Sequence, residues 1–202
     1  MEKKEDSKRV KILGVVCSPR ANGNTHILVE EALKSATESG AEVEIYSTIG
    51  KIITPCDGCD VCRQTNKCHI EDDMQELYGK FLKANGIILG SPVYFWSVTA
   101  QAKAVIDRTY VFKIGSSTGS CQRIKRELGN KVGAAFVVAR KRGVAYALAT
   151  INNFFYLHDM VIAGGVACFG DERGDVRNNE RAIKEAWRVG KLMVDLIDNK
   201  YR

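Results

Sequence analysis

Lys11-Ile12-Leu13-Gly14-Val15-Val16-Cys17, followed at once by Ser18-Pro19-Arg20-Ala21-Asn22-Gly23-Asn24-Thr25, is the stretch on which the fold turns. The first part is an apolar run rich in β-branched residues, the pattern of a strand buried on both faces of a parallel sheet. The second part is polar and leads into a helical pattern over residues 26–39, with Ile27, Leu28, Leu33 and Ala36 on its apolar face. Gly40 is placed to end that helix. A buried strand, a polar loop and an amphipathic helix open a chain of alternating β and α elements.

The alternation continues outward from there. Residues 42–47 alternate apolar and polar and read as a second strand, and the cysteine-rich stretch follows. Asp72 or Asp73 is set to cap a helix running to residue 83. Residues 85–90 form a third strand, 91–96 a loop and 99–111 a helix. Residues 114–129 begin Gly- and Ser-rich and read as a lid, a loop or an oligomer contact. Residues 131–139 form a fourth strand, 140–143 its loop and 145–158 a helix. A fifth strand begins at 160–163, and Ala167-Cys168-Phe169 continues it after a glycine pair. The last helix spans 178–199, with Ile183, Trp187, Leu192 and Leu196 on one face. The pattern predicts an α/β fold, a flavodoxin-like open parallel five-stranded sheet of order 2-1-3-4-5 with helices on both faces. One domain over 1–202 is expected, with a cysteine-rich loop at 55–72 after the second strand. In that order the first and third strands wind away in opposite directions, and a ligand binds beyond their carboxyl ends. The loops meeting there are 18–25 and 91–96.

At 202 residues, 45% hydrophobic and 27% charged, the chain has the balance of an ordinary globular protein. No stretch approaches the ~20 apolar residues that cross a bilayer. Residues 1–10 are charged and polar, without the apolar segment of a signal peptide, so a cytoplasmic protein that avoids membranes is expected. The formal net charge is +6. Arg108, Lys113, Arg123, Lys125, Arg126, Lys131, Arg140, Lys141 and Arg142 bunch along the second half. Such a surface attracts an acidic protein or an anionic cofactor, or is simply a set of solvated helix faces. Nucleic acid is not an expected partner, because no aromatic stacking motif or recognition helix accompanies the charge.

Three loops carry the candidate binding residues. The first suits a mononucleotide phosphate: Ser18 and Thr25 offer hydroxyls, Asn22 and Asn24 offer amides or a tight turn, and Arg20 supplies charge at a helix N-terminus. It is neither a Gly-x-Gly-x-x-Gly loop nor a P-loop. A plain capped turn is the alternative. The second, Pro92-Val93-Tyr94-Phe95-Trp96, places aromatics at the end of a buried strand, where they pack on a planar ring or under the next helix. The third, Arg140-Lys141-Arg142-Gly143, ends the fourth strand on the same side of the sheet. A cation beside a reducible ring stabilises its anionic form, and a solvated basic turn is the alternative.

Four of the seven cysteines, Cys56, Cys59, Cys62 and Cys68, follow the spacing C-x2-C-x2-C-x5-C. Consecutive thiolates two residues apart converge on one small object, and tetrahedral zinc or an iron–sulfur cubane both satisfy that geometry. Zinc ribbons separate their C-x2-C pairs by longer spans, so the tight register favours iron–sulfur. Disulfides, or cysteines that bind nothing, are the alternatives. His69 follows Cys68 and could tune or replace a ligand. Cys17 ends the first strand and reads as a small buried residue. Cys121 and Cys168 read as structural, His26 and His158 as helix residues, and Asp72-Asp73 as a cap.

Three motifs together resemble the iron–sulfur flavoproteins of anaerobic archaea and bacteria, a branch of the NADPH-dependent FMN reductase group with a flavodoxin-like fold. They are Cys17-Ser18-Pro19-Arg20 with Gly23-Asn24-Thr25; Pro55-Cys56-x-Gly58-Cys59 through Cys68 with Asp72-Asp73-Met74; and Gly90-Ser91-Pro92-Val93-Tyr94 followed by Ala102-Lys103 and Ile106-Asp107-Arg108. The resemblance runs from residue 11 to the end. It implies FMN with its phosphate on Ser18, Arg20, Asn22, Asn24 and Thr25. It sets the FMN ring by Pro92, Val93, Tyr94, Phe95 and Trp96 and by Arg140, Arg142 and Gly143. It further implies a [4Fe-4S] cluster on Cys56, Cys59, Cys62 and Cys68. Dimers that pair into tetramers, ferredoxin as electron donor, and oxygen or peroxide as acceptors complete what it implies. Where the reductase relatives often carry a Gly-Gly-Gln-Glu-like segment, this chain has Arg142-Gly143-Val144-Ala145-Tyr146, which weighs against direct NAD(P)H docking.

The leading expectation is therefore an oxidoreductase that transfers electrons, taking them singly at the cluster and passing them to FMN, with no side chain acting as a general base. An NAD(P)H-dependent FMN or quinone reductase is the second reading. A zinc-stabilised redox-sensing or binding module without turnover is the third.

Overall fold

The computed structural model describes residues 9–113 and 126–200. Most of the 114–129 segment, with Cys121, Arg123 and Lys125, lies outside the described residues. Five strands form one parallel sheet of order β2-β1-β3-β4-β5. They are β1 Lys11–Val16, β2 Glu42–Ser47, β3 Gly86–Pro92, β4 Val132–Ala139 and β5 Val161–Phe169. The order is the one read from the alternation of elements. Val16 at the end of β1 sits between Ser47 of β2 and Gly90 of β3. The strands that wind in opposite directions are therefore neighbours, and the switch point lies above them.

The period-2 geometry of β1 sends alternate side chains to two cores. Ile12 and Val16 pack beneath α1 Asn24–Glu38 and α6 Glu180–Lys200, with Leu28, Phe136 and Val189. Leu13 and Val15 face α3 Met74–Lys83, α4 Ala100–Arg108 and α5 Val144–Leu157, with Leu77, Phe81, Val105 and Phe155. Burying each such Leu or Phe contributes about 1.5–3 kcal/mol before the entropy of ordering is subtracted. Every residue of β4 is buried, which is why that strand reads as an unbroken apolar run.

The structure departs from the sequence reading in four places. A short helix, α2 Val61–Thr65, forms inside the cysteine stretch. The helix read over 99–111 tightens into a 3₁₀ turn at Thr109–Phe112, where Thr109 Oγ1 donates to the carbonyl of Ile106 at 2.6 Å. A second 3₁₀ turn, Asp175–Asn178, precedes the last helix. The glycine pair does not interrupt β5. Gly133 pairs with Ile162 and Ala134 with Gly164, so Ala163 is a bulge and the strand runs on. Gly165 is required there, because a Cβ would stand 2.1 Å from the carbonyl oxygen of Ala135.

One charge assignment also changes. Arg108, which the sequence places among the bunched surface cations, is only 2% exposed. Among the described residues, no helix is long and apolar enough to cross a membrane.

Candidate functional site

Beyond the carboxyl ends of β1, β3 and β4 lies a cleft of about 260 Å³. Ser18, Arg20, Asn24 and Thr25 wall one side. Cys17 fixes this loop to its neighbours: its N–H donates to the carbonyl of Gly90 at 2.8 Å, and its own carbonyl accepts from Thr99 Oγ1 at 2.8 Å. Thr99 in turn caps α4 through the N–H of Ala102. Burial pushes the Cys17 thiol up to about 12, so it stays neutral. The loop turns at Asn22, which adopts φ +50, and Gly23 accepts the N-cap position of α1 without a side-chain hydrogen bond. The first turn of α1 thus lies at the cleft without a side-chain cap on its N–H groups, the arrangement that suits an anion.

Pro92, Val93 and Tyr94 wall the opposite side, with Val138 and Arg140 from β4 and its loop. The sequence reading missed Asp171, which closes the cleft with Gly170 just past β5. Asp171 accepts from Arg140 Nε at 2.7 Å, and its carbonyl accepts from Arg20 Nη1 at 3.0 Å. Two guanidinium groups face one carboxylate, so the cleft keeps a positive surplus for an anionic ligand. The only sequence signal for Asp171 was its place at the carboxyl end of a parallel strand. Asn24 lines the cleft, but both ends of its amide are engaged: Nδ2 donates to the carbonyl of Glu172 at 2.8 Å and Oδ1 accepts from Gly174 N at 2.8 Å. It ties α1 to the segment after β5.

Asn22, Phe95, Trp96, Arg142 and Gly143 are not among the residues that wall this cleft. Tyr94 and Ser97 exchange backbone hydrogen bonds of 2.9 and 3.0 Å around Phe95 and Trp96, which have φ of +45 and +62. This is a primed turn built from two bulky aromatics, where glycine or asparagine is usual. Each left-handed residue costs about 1–2 kcal/mol. Phe95 stands fully exposed at the tip, while the Trp96 ring meets Tyr146 at 5.5 Å. Gly143, at φ +89, lets the two loops touch: a Cβ there would sit 3.0 Å from both Trp96 Cα and Val93 Cγ1.

The four cysteines form a second site. Cys56, Cys59, Cys62 and Cys68 all line one basin of about 300 Å³ between residues 56–70 and the end of α4. Cys56 and Cys59 are exposed, and Cys62 and Cys68 are partly buried. Burial pushes the Cys62 thiol up, a backbone hydrogen bond opposes it, and the neighbouring Cys68, Cys59 and Cys56 push it further. His69 Nε2 meets Asp57 Oδ2 at 2.8 Å, and the donor atoms of Asp57, Cys59 and His69 lie within 4.8 Å of one another. Hydrogen bonds from Cys59 and then His69 hold the Asp57 carboxyl below its usual range. Asp72 and Asp73 are not an acid–base pair. Asp72 accepts from Met74 N at 3.0 Å, close to the cap expected of it, and Asp73 Oδ2 accepts from Ile52 N at 2.6 Å.

The sequence profile of the family described as NADPH-dependent FMN reductase matches residues 10–173. An iron–sulfur flavoprotein of Methanocaldococcus jannaschii is 37% identical, over 93% of this chain and 97% of its own. An iron–sulfur flavoprotein of Methanosarcina thermophila is 34% identical, over 80% of this chain and 81% of its own. Among solved structures, a flavodoxin from the domain Archaea superposes with a TM-score of 0.59 at 13% identity, covering 94% of this chain and 99% of the flavodoxin. That likeness concerns the fold.

Proposed function

The chain belongs to the NADPH-dependent FMN reductase family and, within it, to the iron–sulfur flavoproteins, and from that premise we propose that it binds FMN and a [4Fe-4S] cluster and works as an electron-transfer oxidoreductase. In this reading it takes single electrons from a ferredoxin-like acidic carrier and delivers them to an acceptor. The domain is single, with the cysteine loop at 55–72 inserted in it. It works in the cytoplasm as a homodimer or homotetramer.

The observation that carries the reading is that all four cysteines line one basin, on the same chain as a cationic cleft at the switch point. The residues present fit both groups. Four sulfur donors facing one cavity match the ligand set of an iron–sulfur cluster. The open N–H groups at the start of α1, with Ser18, Thr25 and Arg20, match a phosphate. Pro92, Val93, Tyr94 and the strained aromatic turn beside Gly143 suit a flat ring. When bound, the cluster supplies one-electron exchange and the flavin stores two electrons, which converts between the two kinds of carrier.

What the chain itself does is hold and exclude. Arg20, and Arg140 beyond its pairing with Asp171, offer positive charge to a phosphate and favour negative charge on a ring placed there. Asn24 fixes the loop after β5 so that Asp171 stays against Arg140. The backbone exchange between Tyr94 and Ser97 sets the edge that a ring would meet. No side chain has to move a proton.

Anaerobic purification tests the reading. Iron and sulfide near about four per chain with a flavin spectrum, and reduction by ferredoxin, are expected. Rapid bleaching by NADPH with ferredoxin inert overturns the donor in favour of a nicotinamide-dependent reductase. Zinc in place of iron, without flavin, leaves only a zinc-stabilised module.

A further inference from the structure

The cysteine basin sits on a loop, and a loop of this length needs something to hold its ends together. Arg108, the last residue of α4, stands at its base. The guanidinium has five N–H donors, and the structure gives every one an acceptor. Nη1 donates to the carbonyl of Thr54 at 2.7 Å and to Asp72 Oδ2 at 2.8 Å. Nη2 donates to Asp72 Oδ1 at 3.1 Å and to the carbonyl of Ile70 at 3.3 Å. Nε donates to Tyr78 Oη at 3.3 Å, and that hydroxyl donates back to the carbonyl of Arg108 at 3.0 Å.

The placement of these acceptors is specific. Thr54 stands just before Cys56, and Ile70 and Asp72 stand just after Cys68. One buried side chain therefore grips both shoulders of the cysteine segment, and it belongs to neither. Asp72 completes the closure by also accepting the N–H of Thr54 at 2.8 Å. Gln75 Nε2 adds a grip on the carbonyls of Ile70 at 2.7 Å and Cys68 at 3.3 Å. The side chains of Arg108 and Asp72 are 1% and 4% exposed, so water does not compete for these bonds. Arg108 also lines the basin, beside Tyr110 and Val111.

We infer that Arg108 is a positioning residue for the cysteine site: it pins the two shoulders of the loop to α4 and so preforms the four-sulfur basin before any metal arrives. The inference deepens the proposed function, but its test reads the metal-free chain and does not depend on which metal binds. A guanidinium is needed because an ammonium has three donors and no planar fork, and cannot bridge Thr54, Ile70 and both oxygens of Asp72 together.

The test is residue-resolved thiol alkylation of the full-length chain freed of metal, with mass-spectrometric readout. In the parent chain Cys56 and Cys59 react fast, Cys62 and Cys68 slowly, and buried Cys17 and Cys168 slowest. Removing Arg108 alone strands the Asp72 charge, so the informative variants are Arg108→Lys and the neutral double variant Arg108→Met with Asp72→Asn. In both, alkylation of Cys62 and Cys68 accelerates about tenfold or more, as expected when a local opening becomes easier, while Cys17 and Cys168 keep their parent rates. On anaerobic reconstitution the same variants hold iron about 10–100-fold less tightly against a chelator. Parent rates at Cys62 and Cys68 in both variants overturn the inference. Parallel acceleration at Cys17 and Cys168 also overturns it, since that outcome marks Arg108 as a general stabiliser of the fold. If iron binding fails even in the parent chain, the proposed cluster is wrong, and the alkylation result still decides the role of Arg108.

Discussion

The two sites of this protein are held in different ways. The cationic cleft is made of strand ends: Ser18 follows β1, Pro92 ends β3, Arg140 follows β4 and Gly170 follows β5. Its walls are positioned by the register of the sheet, with the Asn24 and Thr99 side chains tying neighbouring segments together. The cysteine basin has no strand beneath it. Its sulfurs ride on a loop and a five-residue helix, tied to the rest of the fold by Arg108, Asp72 and Gln75 and by the packing of Cys62 and Cys68 against the core. A site built on strand ends inherits the rigidity of the core. A site built on a loop is as firm as the few buried polar contacts at its neck.

Five measurements bear on that contrast. The largest effect is expected for Cys59→Ala, which loses iron altogether while FMN binding stays at the parent level, because Cys59 lines the basin and is absent from the cleft. Loss of FMN on the same substitution, read by flavin fluorescence, would show that the two sites are built together. Next comes Arg108→Met, which leaves a buried carboxylate without its partner. Urea unfolding should show a loss of about 3–5 kcal/mol.

The third measurement concerns pH. His158 ends α5 and its Nε2 meets Thr109 Oγ1 at 3.0 Å, directly beside Arg108. Burial, then the charge of Lys113, pushes its pKa down to about 4, with Asp159 opposing. Above the unfolded value of 6.5 the ring is neutral in both states and costs nothing. Below it the unfolded chain takes the proton first, so stability falls from pH 6.5 to about 4 and then levels off, by at most about 3 kcal/mol. His158→Gln should flatten that slope in urea midpoints measured across this window. A slope that survives the substitution places the acid-sensitive group elsewhere.

Smaller effects are expected at the cleft. Arg20→Ala should weaken FMN binding about tenfold, near 1.4 kcal/mol, with folding unchanged, because the side chain is exposed and its guanidinium donates to the Asp171 carbonyl at the surface. The smallest is Phe95→Gly. Relief of the left-handed backbone should stabilise the fold by about 1 kcal/mol, since Phe95 is fully exposed and its ring packs on nothing. If FMN affinity falls at the same time, the aromatic turn serves the ligand.

The sheet was legible because its central strands are buried on both faces and read as plain apolar runs, as 11–17 and 131–139 do. The edge strand β5 was harder. A bulge at Ala163 and glycines in mid-strand break the run, and only the hydrogen bonds to β4 show that it continues. At the cleft, topology points to the loops after β1 and β3, but it could not show that the Asn24 amide is spent on the backbone after β5. Asp171 carried no spacing signal at all. Arg108 was misread for a physical reason: an arginine in a helix looks the same on either face until the partner is placed, and Asp72 is far away in the chain.

The neck of the cysteine loop has a last consequence. Ile52 and Asp73 hydrogen-bond to each other through the Asp73 N–H at 3.0 Å and the Ile52 N–H at 2.6 Å, so the segment leaves the fold and returns to it at one point. The segment between them is nonetheless tied to the interior: Ile53, Cys62 and Cys68 pack against the core beneath α3 and α4, and Asp72 is the partner of the buried Arg108. Excising it would leave that guanidinium buried without its acceptors, so the loop and the interior beneath it can change only together.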